Sequence, residues 1–70
     1  MSLAFSVDVD GKEIIFAYDE TARALTVTSI DGVARHIICA SGHIKSFDDA
    51  ENYAKVLADS YKDHPFWHPV

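Results

Sequence analysis

Leu3, Phe5, Val7 and Val9 alternate with Ala4, Ser6 and Asp8 over residues 3–9. That period of two sends every second side chain to one face of a β-strand. Asp10-Gly11 follows, and a two-residue type I′ hairpin needs positive φ at both central positions, which Asp-Gly accommodates at little cost. The turn pairs Val9 with Lys12, Val7 with Ile14, Phe5 with Phe16 and Leu3 with Tyr18, so the apolar sets of both strands share one face. A second Asp-Gly, at 31–32, joins the β-prone runs 24–30 and 33–39 and pairs Ser29 with Ala34, Val27 with His36 and Leu25 with Ile38. Between the hairpins, Asp19-Glu20-Thr21-Ala22 reads as a four-residue loop that sets Tyr18 opposite Arg23, Phe16 opposite Leu25 and Ile14 opposite Val27. The strands form a four-stranded antiparallel meander.

After a loop over 40–45, the period changes. Phe47, Ala50, Tyr53, Ala54, Leu57, Ala58 and Tyr61 make one apolar stripe, with Glu51, Asn52, Lys55, Asp59 and Lys62 opposite, as in an amphipathic helix packed on a sheet. Ser46 is the expected N-cap, and Asp48, Asp49 and Glu51 place negative charge in the first turn, where the helix dipole favours it. The helix is expected over 46–62, stopped by His64-Pro65, because proline disfavours helical geometry in the residue before it. An irregular aromatic tail, 63–70, carries Phe66 and Trp67. The fold class is α+β, ββββα, one small domain over 1–70 with its sheet over 3–39 and the helix closing one face.

This register gives the two faces different characters. Phe5, Phe16, Leu25 and Ile38 form one row on the helix side, and Val7, Ile14, Val27 and His36 the next. On the far side lie Ala4, Ala17, Ala24 and Cys39, then Ser6, Ile15, Thr26 and Ile37, then Asp8, Glu13, Thr28 and Arg35. A face of small and apolar residues rimmed by charge predicts a cover. A second copy of the chain, the aromatic tail or another protein each fit, with Ile15, Thr26, Ile37, Phe66 and Trp67 as the expected contact residues.

Length strengthens the first of these. Seventy residues without disulfide or metal staples build a thin core, and association is a common remedy. A homodimer is therefore expected. The net charge of −5, with six basic residues scattered singly along the chain, argues against nucleic acid as a partner. Apolar runs are far too short to cross a bilayer, and the single Cys39 with no signal-peptide pattern suits a reducing, cytoplasmic setting.

Candidate chemistry is sparse. Four histidines and one cysteine raise the question of a metal, since imidazole and thiolate are the usual zinc ligands. His36 and Cys39 stand three apart on a strand, so they point to opposite faces and form neither a metal pair nor a base and nucleophile. His64 and His68 are separated by Pro-Phe-Trp, which prevents the helical turn that would join them. No metal or cofactor is expected. The reading that best fits is a small non-catalytic interaction or regulatory module, self-associating through the open sheet face or an edge. The alternative is a ligand-binding protein or enzyme that uses His36 with Tyr53 and Tyr61 beneath the helix.

Overall fold

The computed structural model describes residues 2–61, with side chains described to residue 60. Strands β1 (Ser2–Val9), β2 (Lys12–Asp19), β3 (Ala24–Ile30) and β4 (Val33–Ala40) precede a single helix, α1 (Phe47–Tyr61). The sheet is antiparallel in the order β1-β2-β3-β4. The ββββα meander is thus the one the periodicity predicts. The helix was expected to reach residue 62, and that residue and the aromatic tail with Phe66 and Trp67 lie outside the described residues.

The first hairpin follows the expected register along its full length, from Val9 opposite Lys12 to Ser2 opposite Asp19. Asp10 has φ 51 and Gly11 φ 80, the pair of positive values that defines a type I′ turn. Asp31 and Gly32 repeat it with φ 51 and 81. A Cβ built on either glycine meets nothing within 4 Å, so backbone conformation rather than space selects glycine there.

At the β2–β3 junction the structure corrects the expected pairing. Asp19 pairs with Ala24, Tyr18 with Leu25 and Phe16 with Val27, a shift of two residues. The cause is local: Asp19 Oδ1 accepts from the N–H groups of Thr21 at 2.9 Å and Ala22 at 3.2 Å, and Arg23, at φ 53, closes the loop. An Asx turn therefore uses Glu20–Arg23 as the connection. A two-residue shift leaves every side chain on its expected face.

The next departure does not. Phe16 faces Val27, but Ile15 faces Ser29 and Ile14 faces Ile30, leaving Thr28 as the extra residue of a β-bulge. The Thr28 hydroxyl donates to the Ile15 carbonyl at 3.2 Å. Through this bulge Ile30 reaches the core and is fully buried. The irregularity passes on to β4, where Ser29 pairs with Ala34 but Val27 pairs with Ile37, then Thr26 with Ile38 and Leu25 with Ala40. Val27 was expected opposite His36 and Leu25 opposite Ile38. Because the bulge at Thr28 moves Ser29 to the other face, its partner Ala34 moves too, and the two faces of β4 are reversed from Ala34 onward. Ile37 and Cys39 pack against the core, and His36 and Ile38 are exposed.

Phe16, Leu25, Val27 and Ile30 are fully buried, joined by Tyr18, Ile14 and the helix alanines Ala50, Ala54 and Ala58. α1 lies over β1 and β2, and its small alanine row lets the helix approach the sheet closely. Phe5 stacks on Phe16 with ring centroids 5.4 Å apart and meets Phe47 edge-on at 5.3 Å. Ser46 caps the helix, its Oγ accepting from the Asp49 N–H at 3.2 Å, as expected. The crossover from β4 is held down by three bonds. The N–H groups of Gly42 and Ile44 donate to the Arg23 carbonyl at 3.1 and 3.3 Å, and the buried Tyr18 hydroxyl donates to the Ile44 carbonyl at 2.8 Å.

Candidate functional site

With α1 on one side, no element among the described residues covers the other side of the sheet, and the register builds it row by row. Ala4, Ala17, Thr26 and Ile38 stand in line across all four strands, and Ser6, Ile15, Ser29 and Ala34 form the row beside it. Asp8 and Glu13 face each other at the turn end, where two like charges cost rather than stabilise. Ile38 is 63% exposed, a large apolar side chain amid small ones. The face is weakly polar and acidic at one margin.

Of the residues expected on this surface, Ile15 and Thr26 are there, each half-buried among its neighbours. Ile37 is not. The β3–β4 bulge turns it to the helix side, and Ile38 takes its place. Cys39 leaves the expected alanine row for the same reason, and Arg35 leaves the outer row: it is half-buried between the exposed Ala34 and His36. Phe66 and Trp67 lie outside the described residues. One signal for Ile38 was present in the chain, since Ile30 is out of phase with Leu25 and Val27 and can join their face only across a bulge.

His36 and Tyr53 are not brought together. His36 is exposed on the open side, whereas Tyr53 is on the helix, packed against the core, with its ring 6.3 Å from that of His43. The side chain of Tyr61 lies outside the described residues. His43 itself sits against the Ser41 carbonyl through Nδ1 at 3.2 Å, a contact within its own loop. His36 and Cys39 stay on opposite sides, as expected, with the sides exchanged. Burial pushes the Cys39 thiol above its ordinary pKa, against a smaller opposing pull from a hydrogen bond to the Val27 backbone. Its Sγ–H also points toward the Ile37 carbonyl at 3.8 Å. Such a thiol is a weak nucleophile at neutral pH. Among the described residues no three of His, Cys, Asp and Glu are placed to share a metal ion, and no helix is long and apolar enough to cross a membrane.

A shallow groove of about 310 Å³ runs between the end of β1 and the last turns of α1, lined by Val7, Asp8, Val9, Asp10, Lys55, Ala58 and Asp59. Three of its lining residues are acidic and one basic, and it holds no nucleophile with a base beside it. The sheet also ends on two edges. β1 pairs with β2 through eight consecutive residues without interruption, while β4 meets β3 through two irregularities.

This is an α+β meander with a solvent-facing sheet surface and no convergent polar site among the described residues. Comparison with protein-family models, with curated proteins and with solved structures finds no match to the chain.

Proposed function

We propose that this chain is a small non-catalytic interaction module whose contact surface is the uncovered side and edge of its sheet, with a second copy of the chain as its first partner. One observation carries the reading: the helix covers one side of the sheet only, and the other side presents the Ala17, Thr26 and Ile38 row with Ile15 beside it. Apolar side chains set in a flat surface with polar margins are the usual composition of an interface. An enzyme needs convergent polar groups in a concavity, and the groove beside β1 is lined by dispersed charges.

Sedimentation equilibrium tests the proposal. The chain is expected at twice its own mass, with dissociation on dilution. A monomer at every concentration overturns it.

A further inference from the structure

The two edges of the sheet are not equivalent. In a two-residue I′ hairpin the residues flanking the turn exchange both backbone hydrogen bonds, and such pairs then alternate along the ladder. Val9, Val7, Phe5 and Leu3 therefore bond to β2, and the N–H and C=O groups of Ser2, Ala4, Ser6 and Asp8 point to the outer edge, where no described strand pairs with them. Two bonds on the far side of β2 agree with this phase. The Glu13 carbonyl accepts from Asp31 N–H at 2.8 Å, and the Ile15 carbonyl accepts from the Thr28 hydroxyl at 3.2 Å. Both carbonyls point away from β1, so their partners Asp8 and Ser6 point outward. Ser2, Ala4, Ser6 and Asp8 are all exposed.

Natural sheets protect an edge with bulges and inward charges. β4 has both, in its two irregularities and in the half-buried Arg35. β1 has neither: eight residues in unbroken register, no proline, no basic residue and one acid, Asp8. Its core-side residues Leu3, Phe5, Val7 and Val9 are only half-buried, although Ile14, Phe16 and Tyr18 beside them are buried. Something seated along β1 would complete their cover.

We infer that β1 is the self-pairing edge, two copies joining antiparallel about a twofold axis at Phe5 into one continuous sheet. This rests on the reading of the chain as a self-associating module. The axis position follows from face and packing. Opposed residues must share a face, which leaves two central registers. With Phe5 opposite Phe5, Leu3 meets Val7, Ala4 meets Ser6, and Ser2 meets Asp8. With Ser6 opposite Ser6, Asp8 meets Ala4 and lies closer to its own copy. The first register holds the two Asp8 residues about 20 Å apart, against about 14 Å in the second, at about 3.4 Å per residue. Both separations exceed the Debye length of about 8–10 Å at ordinary salt, so charge favours the first register only weakly. Packing decides: the first register places Phe5 of the second copy against the Phe5, Phe16 and Phe47 cluster, and its Leu3 beside Val7 at the groove.

The test uses the full chain. Wild type is expected at twice the monomer mass, and Ser6→Pro at the monomer mass, because it removes an outward N–H and leaves the β1–β2 ladder intact. The face variant Ile15→Lys with Ile38→Glu is expected to stay dimeric. Cross-linking fixes the register independently: in a Cys39→Ala background, A4C mixed with S6C is expected to give a disulfide-linked pair, and neither alone. Opposed bonded residues have Cα atoms about 5.5 Å apart, within disulfide reach, whereas like positions lie beyond it. A wild-type monomer overturns both this inference and the module reading. A dimer that survives Ser6→Pro, or that the face variant dissociates, overturns the edge assignment alone. Should Ser6→Pro fail to fold, the cross-links decide: a linked pair in the mixture alone supports the edge and register, and linkage of S6C with itself, or of no pair, overturns them.

Discussion

Tyr18 donates a side-chain hydrogen bond that ties the sheet to the crossover. Tyr18→Phe removes a single oxygen and leaves the ring, so no cavity forms and the loss is that of the bond. The hydroxyl lies 2.8 Å from the Ile44 carbonyl, and the two residues are 2% and 3% exposed, so water does not replace the donor. A net bond contributes about 1 kcal/mol, and a buried carbonyl left without its partner adds about as much again, for a cost of about 2 kcal/mol. In a domain of this size each kcal/mol shifts Tm by about 4–8 °C, so the midpoint is expected to fall by about 8–16 °C. Thermal unfolding followed by far-ultraviolet circular dichroism reads this directly. Hydrogen exchange adds a local readout, since the Gly42 and Ile44 amides, both bonded to the Arg23 carbonyl, are expected to lose protection. A midpoint within about 2 °C of wild type, with both amides still protected, would refute the view that this bond anchors the crossover.

Further expectations follow from other contacts. Ser46→Ala removes the acceptor for the Asp49 N–H and is expected to cost about 1 kcal/mol in urea unfolding, with Ser46→Asp restoring most of it. Ala54→Leu forces a larger side chain into the fully buried alanine row between α1 and the sheet and is expected to cost about 1–3 kcal/mol, where the exposed Lys55→Leu changes little. For Cys39 the sign follows from its raised pKa: the folded chain holds the thiol neutral to higher pH than the unfolded chain does. Stability therefore keeps this contribution below the unfolded thiol's pKa and loses it as pH rises through the folded value. Alkaline urea titrations are expected to show that fall in wild type and not in Cys39→Ala, and thiol alkylation of the native chain is expected to be slow at neutral pH.

The legible part of the fold is the part whose phase is set by a short-range signal. Asp10-Gly11 sets β1 against β2, and nothing disturbs that pairing before the strands end. The alanine and aromatic stripe placed the helix, and Ser46 placed its start. Asp31-Gly32 likewise set Ile30 opposite Val33 and Ser29 opposite Ala34, but a turn governs register only as far as the first bulge. Beyond it, β4 reads Arg35-His36-Ile37-Ile38-Cys39, where adjacent isoleucines fit either phase and no alternation chooses between them. The face then depends on which side Ile30 must bury, a tertiary demand. That is why Ile15 and Thr26 were found on the open surface and Ile38 was missed in favour of Ile37.

The same bulges bear on how association ends. A sheet with two regular edges can pair β1 of one copy with β4 of the next, a head-to-tail contact that no twofold axis closes, and such contacts grow into open arrays. Here β4 is bent by two irregularities and carries Arg35 turned inward, and each of these opposes the addition of another strand. On the proposed reading, pairing is thereby confined to β1, whose like-with-like geometry is twofold and closes at two copies. The price of the irregular edge is the displaced Ile38, left 63% exposed. Joining two sheets through β1 would put an Ile38 near each outer margin of one broad surface, with the Ala4, Ala17 and Thr26 positions of both copies between them. On the proposed reading, a partner of that surface meets a symmetric platform, and an Ile38→Thr substitution is expected to weaken its capture without changing the mass of the dimer.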